Sequence, residues 1–226
     1  SLGMSDSAMK QYIAEVRTMR AWAYYNNFEL WGGTLPLCVA ADGNVPGSAD
    51  PDFNKSSQII WQFMADELDG CYGDLIAEQG NPGTRNRLSQ GMNRMLKMRL
   101  LLNSELWTGT ARYEECKTLC EQIIAGDYGN YSIVSDYRDI YGINNETCPE
   151  VVFAFAMEAG HNTNNNRNTP FLPYNYDQMF GFSCDQSGWN CVCMVPSKDN
   201  TGTLVPYAGT SNPKSFIFDY GDKLGA

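Results

Sequence analysis

Residues 13–37, IAEVRTMRAWAYYNNFELWGGTLPL, decide the fold of this chain. From Ala21 onward the apolar side chains fall all round the 3.6-residue helical wheel. A helix of that kind must be covered on every side. The pair Gly32 and Gly33 ends the predicted helix, and Pro36 favours extended backbone before it. We therefore expect an inner helix of a helical assembly, whose covers come from the rest of the chain.

Three further helices are predicted along the chain, over residues 57–78, 87–107 and 112–125. In the first of these, Ile60, Met64 and Leu68 recur at every fourth position and form one apolar stripe. Residues 39–56, which precede it, are rich in Gly, Pro, Asp, Asn and Ser and indicate a loop. Helices joined by short loops pack antiparallel, so the pattern predicts a mostly α fold of stacked helical hairpins.

The second half of the chain has a different character. Residues 150–156, EVVFAFA, predict one buried strand, and almost no periodicity follows His161. Long irregular segments in a compact domain are usually functional. We expect residues 1–226 to form a single domain. Its helical scaffold would span residues 10–126, and a loop-rich ligand-binding region, residues 127–226, would pack on one side of that scaffold.

Charge and cysteine content exclude several function classes. The formal net charge of −10 argues against nucleic acid and against an anionic membrane surface. No run of apolar residues is long enough to span a membrane, and no signal peptide is present in this sequence. The spacing of the eight cysteines does not match a zinc half-site, so we expect small buried thiols, no metal and no cofactor.

Catalysis has little support in the sequence. No familiar catalytic or nucleotide-binding motif occurs. The single histidine, His161, lies in an Asn-rich segment and is expected to be a solvated loop residue. Acidic residues cluster at Asp66, Glu67 and Asp69, where a solvated helix face is the simpler interpretation. A glycosidase pair would need two carboxyl groups flanking one cleft.

Binding is better supported, by the composition of residues 161–190. This segment mixes aromatic side chains with Asn, Gln, Asp and Arg. Aromatic planes can cover the apolar faces of sugar rings, and amide or charged groups can bond their hydroxyls. The aromatic residues could equally anchor a long loop on the helices. The candidate glycan-binding residues are Trp189, Asn190, Arg167, Asn168, Phe171, Tyr174 and Tyr176.

Four places in the sequence carry a resemblance to a known family. They are AEVRTMRAWAYY at residues 14–25 with LWGGTLP at 30–36, the helix of residues 87–103, residues 121–131 with IIAG at 123–126, and EVVFAF at 150–155 with SGWN at 187–190, and they occur in the family's order. On these segments the chain resembles the SusD/RagB family of glycan-binding outer-membrane lipoproteins of Bacteroidetes.

The resemblance implies a fold of divergent tetratricopeptide-like hairpins and a function in nutrient uptake. Such a protein binds polysaccharide at the cell surface without cleaving it and delivers it to a SusC-like TonB-dependent transporter. By position, Trp189 is similar to an aromatic residue that stacks on glycan. Family members are longer and carry an N-terminal lipid-modified Cys and a C-terminal helical hairpin, so we expect this sequence to be a fragment.

Two other functions stay open at this point. One is a helical-repeat scaffold that binds a protein or peptide along a groove lined by helix residues. The other is a glycoside hydrolase that uses acidic residues between Asp66 and Asp69.

Overall fold

A computed structural model of the protein describes residues 3–39, 51–77, 86–141 and 145–155, together with 201 and 203. The described part is mostly helical, as predicted. Its helices are α1 (Asp6–Trp31), α2 (Phe53–Cys71), α3 (Gln90–Leu102), α4 (Ser104–Thr108) and α5 (Tyr113–Ala125). Within these residues the only β pairing is an isolated bridge between Ile76 and Ser89, and no helix there is long and apolar enough to cross a membrane.

Local side chains account for most of the helix ends. Ser5 accepts a hydrogen bond from the Ala8 N–H and begins α1, and Ser89 accepts one from Met92 and begins α3. Gly126 has a φ of 87°, so the αL conformation that ends α5 costs it no steric strain. These short-range devices place α5 within one residue of its predicted start and at its predicted end.

Several predicted helix boundaries were wrong, including the end of α2, which is Cys71 rather than residue 78, and the start of α3, which is Gln90 rather than residue 87. The second helix begins at Phe53 rather than Ser57, because Asp52 accepts hydrogen bonds from the next backbone N–H groups and caps it. The third predicted helix is two helices, since α3 ends at Leu102 and α4 follows from Ser104. At the junction the Asn103 N–H bonds the carbonyls of Arg99 and Leu101.

The helices form antiparallel hairpins. Gly33, just after α1, lies against Phe53 and Ser57 at the start of α2. Near the other end, Thr18 contacts Cys71, the last residue of α2. Likewise Cys116 near the start of α5 donates to the carbonyl of Met98 late in α3, at 3.6 Å. The hairpins agree with the prediction, while a tetratricopeptide-like repeat stays a prediction.

The core lies between α1, α2, α3 and α5. Its fully buried side chains include Phe28, Ile60, Met64, Leu68 and Leu100. The expectation that α1 is covered on every side was wrong, because its buried residues recur at steps of three and four along one face. Leu30 is 76% exposed on the same helix.

The predicted strand at residues 150–156 is also not formed over residues 150–155, and residue 156 lies outside the described part. A strand needs a neighbour to complete its hydrogen bonds, and the described residues supply none here. Instead Glu150 accepts a hydrogen bond from the Val134 N–H at 3.0 Å, and Ser132 donates to the carbonyl of Pro149 at 3.3 Å. The Val151 N–H donates to the carbonyl of Cys148 at 3.2 Å and closes a turn.

Candidate functional site

The sequence-predicted ligand residues all lie outside the described residues. They are Arg167, Asn168, Phe171, Tyr174, Tyr176, Trp189 and Asn190. His161 also lies outside the described residues. Their roles therefore stay predictions. The structure does describe the helical scaffold that precedes this region in sequence.

Glu67, one of the suspected catalytic acids, is used to join α1 to α2. Arg17 donates to one of its carboxylate oxygens at 3.0 Å, and Arg20 donates to the other at 2.9 Å. Arg17 also reaches the carbonyl of Gly70 at 3.1 Å. Both carboxylate oxygens of a nearly buried side chain thus bond within the protein.

Asp69 and Asp66 are also occupied. Arg94 donates to Asp69 at 3.0 Å, and Lys97 forms a second ion pair with the same carboxylate. Asp66 accepts a hydrogen bond from Gln62 at 2.7 Å, one turn earlier on the same helix. This arrangement gives no support to a general acid and base flanking a sugar. It supports a structural role in the contact of α2 with α3.

A buried polar centre holds α1, α2 and α3 in register. Asn93 is fully buried and donates to Thr18 and to the carbonyl of Leu68, each at 3.1 Å. Its side-chain oxygen accepts from Arg94 at 2.9 Å. Burial raises the pKa of the adjacent Cys71 thiol, which keeps it protonated. Buried polar groups with satisfied partners specify one packing arrangement, so α1, α2 and α3 form a rigid support.

Most scaffold tryptophans serve the core, as expected. Trp61 is buried and donates its indole N–H to the carbonyl of Leu100 at 3.1 Å. Trp107 packs on Phe28 with ring centroids 4.5 Å apart. Trp31 is the exception, because it lies at the end of α1 and is 59% exposed. Sequence periodicity alone cannot distinguish a buried from an exposed position on a helix that is apolar all round.

Three aromatic rings contact one another where residues 153–155 meet α1. Phe155 lies 5.7 Å from Trp22 of α1 and 5.0 Å from Phe153, between ring centroids. Phe155 remains 52% exposed. It is the last described residue before the segment that carries the predicted ligand residues. Phe155 therefore packs on the Trp22 face of α1.

Residues 127–147 contain four tyrosines, which no motif in the sequence assigns to a function. Two of them, Tyr137 and Tyr141, are 63% and 70% exposed. Their ring centroids lie 5.2 Å apart and their hydroxyl oxygens 3.2 Å apart. The signal that could have found them is a spacing of four residues in a turn rich in Asp and Arg.

Metal ligands are not gathered anywhere in the described residues, which contain no group of three His, Cys, Asp or Glu side chains arranged to hold an ion.

Comparison with known proteins finds a curated protein that is similar in sequence to this chain. No protein-family model matches the sequence. The Starch-binding protein SusD of Bacteroides thetaiotaomicron is 22% identical over 144 residues, which are 64% of this chain and 24% of that protein.

Solved structures agree with the sequence match. NanU of B. fragilis superposes with a TM-score of 0.53 and 20% identity, covering 66% of this chain and 29% of that one. A SusD superfamily protein from Bacteroides vulgatus gives 0.53 and 17%, covering 68% and 30%. The resemblance to the SusD family is confirmed. This chain spans about a quarter of the curated SusD-like relative and under a third of the solved ones.

Proposed function

We propose that this chain is part of a cell-surface protein that binds polysaccharide without cleaving it. The observation that carries the proposal is the match to the Starch-binding protein SusD over 64% of the chain. The composition of residues 161–190 adds chemical support, since it combines aromatic planes with amide and charged groups.

In this proposal Trp189 stacks on the apolar face of a sugar ring. Asn190, Arg167 and Asn168 hydrogen-bond hydroxyl groups, because amide and guanidinium groups offer several donors in a fixed geometry. Phe171, Tyr174 and Tyr176 extend the aromatic surface. The residues follow Phe155, which contacts Trp22 on the rigid helical support.

Absence of catalysis belongs to the same proposal. Two acidic residues support it directly. Glu67 and Asp69 are each paired with two cationic side chains in the scaffold. A hydrolase acting through these acids would release reducing sugar, and Asp66→Asn or Asp69→Asn would abolish the release. We expect no release from the parent.

Affinity electrophoresis tests the binding. The parent and Trp189→Ala are run in native gels that contain one soluble polysaccharide each. We expect one polysaccharide to retard the parent and Trp189→Ala to migrate as in a gel without polysaccharide, since buried aromatic contacts dominate such sites. Trp31→Ala is the matched control, because Trp31 is exposed on the scaffold and should leave retardation unchanged.

The outcomes separate the assignments. Retardation that survives in Trp189→Ala would place the site elsewhere on the chain. Retardation lost equally in Trp31→Ala would contradict a site confined to residues 161–190. A parent retarded by no polysaccharide would contradict glycan binding by this chain.

Location and partner complete the proposal. We place the protein at the outer surface of the outer membrane, held by a lipid anchor, with a SusC-like TonB-dependent transporter as its partner in nutrient uptake. Surface labelling of intact cells with an antibody to the chain checks the location. Purification of the tagged full-length protein from its own membranes checks the partner, and recovery without a transporter would contradict it.

A second candidate, a protein-binding helical scaffold, has one observation in its favour. Met9, Ile13 and Val16 recur at helical spacing on α1 and are 47%, 53% and 68% exposed. An exposed apolar stripe of this kind can mark a protein contact. Under this function the α1 variant Val16→Asp would lose partner binding, whereas Trp189→Ala would keep it.

A further inference from the structure

One short loop of the chain is fixed at its base and exposes two aromatic rings. Its ends meet where Ser132 donates to the carbonyl of Pro149 at 3.3 Å and Val134 donates to the Glu150 carboxylate at 3.0 Å. Inside it, the Asn145 side chain donates to the carbonyl of Ile140 at 3.0 Å. Compact loops closed in this way are frequently functional.

The two rings are held in a defined mutual geometry. Tyr137 lies in the 3₁₀ turn Tyr137–Ile140, and Tyr141 follows it directly. Their planes are inclined by 58°, and the Tyr137 hydroxyl donates to the Tyr141 hydroxyl at 3.2 Å. The Tyr141 hydroxyl keeps its own proton for an outside acceptor. The hydrogen bond to Tyr141 also raises the pKa of Tyr137, so the Tyr137 phenol is neutral at neutral pH.

A charged pair lies beside the rings. Arg138 forms a two-pronged contact with Asp136, at 3.1 Å from Nε and 2.8 Å from Nη2. This contact lowers the pKa of Asp136 to about 2. The Arg138 side chain remains 69% exposed, so the edge of its guanidinium faces water with donors to offer.

The local charge selects the kind of ligand. Asp136, Asp139 and Glu150 outnumber Arg138 in this loop, and the whole chain carries a net charge of −10. An anionic ligand would be repelled. A neutral ligand with both apolar faces and hydroxyl groups would match inclined rings, a free phenol proton and guanidinium donors.

We propose that Tyr137 and Tyr141, with Arg138 beside them, form a second contact site for neutral saccharide units, separate in sequence from residues 161–190. The inference rests on the proposed polysaccharide binding and deepens it. A polymer that occupies two sites on one chain gains avidity because the second contact forms within the same complex. The rings bind as a pair, and neither is catalytic.

The test uses the polysaccharide that retards the parent chain in affinity electrophoresis. The variants are Tyr137→Ala/Tyr141→Ala, which removes both rings, and Tyr137→Phe/Tyr141→Phe, which keeps the rings and removes the hydroxyls. We expect the apparent dissociation constant to rise about fivefold in the first and about twofold in the second, as for stacked aromatic contacts. Tyr113→Ala is the matched control, since Tyr113 is an exposed tyrosine on α5.

Four results would overturn or confirm the site. Retardation of the double Ala variant equal to that of the parent, while Trp189→Ala loses it, would reject the second site and leave glycan binding standing. An equal loss in Tyr113→Ala would also reject it. Failure of every polysaccharide to retard the parent would reject glycan binding and this site together. Weakening in both ring variants that is larger in the double Ala variant and absent in Tyr113→Ala, with unchanged helical circular dichroism, would confirm it.

Discussion

Hydrogen bonds have different roles in two regions of the molecule, the interface of α1, α2 and α3 and the loop of residues 132–150. At the interface Asn93 and Thr18 turn inward, fully buried, and their bonds hold helices together. In the loop the bonds tie the backbone to itself and leave Tyr137 and Tyr141 in water. The difference teaches where function can reside: substitutions at the interface should cost stability, and substitutions in the loop should cost binding.

The largest expected effect tests the closeness of the α1–α2 contact. A Cβ atom at Gly33 would lie 2.2 Å from the carbonyl oxygen of Phe53 and 2.9 Å from the Ser57 nitrogen, both backbone atoms. Backbone cannot move aside as a side chain can, so Gly33→Ala should lower the free energy of unfolding by about 3 kcal/mol. Urea denaturation measures it. Gly73→Ala is the control, because nothing lies within 4 Å there, and equal effects would contradict the close contact.

A smaller loss in the free energy of unfolding is expected when the interface loses a charge. Glu67→Gln leaves Arg17 and Arg20 without their shared carboxylate. Breaking a buried pair costs several kcal/mol, but both arginines are about a third exposed, so we expect about 2 kcal/mol in urea denaturation. The control Glu115→Gln breaks the exposed pair with Arg112 and should cost under about 0.5 kcal/mol. Similar losses in both would show that burial of Glu67 carries no weight.

A third substitution tests how the scaffold meets the chain after α5. A Cβ atom at Gly91 would lie 2.1 Å from the Tyr131 hydroxyl oxygen. Gly91→Ala should therefore destabilise, and Tyr131→Ala should make room for it. In a double-mutant cycle we expect a coupling of about 1.5 kcal/mol between the two sites. A coupling near zero would mean that Tyr131 does not press on α3.

The pH dependence of stability distinguishes a buried tyrosine from an exposed one. Burial and the hydrogen bond to Glu29 raise the pKa of Tyr25 to about 12 from 10.0. Because the folded pKa is raised, the neutral phenol stabilises the fold fully below pH 10.0, and this contribution is lost as pH rises through about 12. Between pH 9 and pH 11, urea denaturation should show a smaller loss in Tyr25→Phe than in the parent. An equal loss would contradict the raised pKa.

The smallest effect on stability is expected in the loop. Tyr137→Ala removes a side chain that is 63% exposed, so the free energy of unfolding should change by less than about 0.5 kcal/mol. Retardation by polysaccharide should weaken in the same variant. A stability loss comparable to that of Glu67→Gln would remove the contrast between the two regions.

Sequence patterns predicted those features that depend on neighbours along the chain. The end of α5 at Gly126 follows from one residue's freedom to adopt positive φ. The stripe of Ile60, Met64 and Leu68 marks the buried face of α2. The start of α2 could have been found in the same way, because Asp52 is an N-cap residue of the ordinary kind.

The candidate site was less predictable. Acids at Glu67 and Asp69 looked like a solvated face, yet they pair with residues 17, 20, 94 and 97, which are distant along the chain. The four-residue spacing of Tyr137 and Tyr141 is visible in the sequence, but their exposure is not, because exposure depends on what else packs nearby. The roles of Trp189 and its neighbours remain predictions from composition and resemblance.

By itself the sequence determined a mostly α chain with a SusD-like first helix, because helix periodicity, capping residues and glycine stops act over a few residues. Tertiary structure alone decided which side of each helix is covered and which polar groups are shared. It placed Asn93 against Thr18 and Gly33 against Phe53, and it left Trp31 and Tyr137 in water. The physical reason is that burial and pairing are properties of residues far apart in sequence, set by the packing of whole helices.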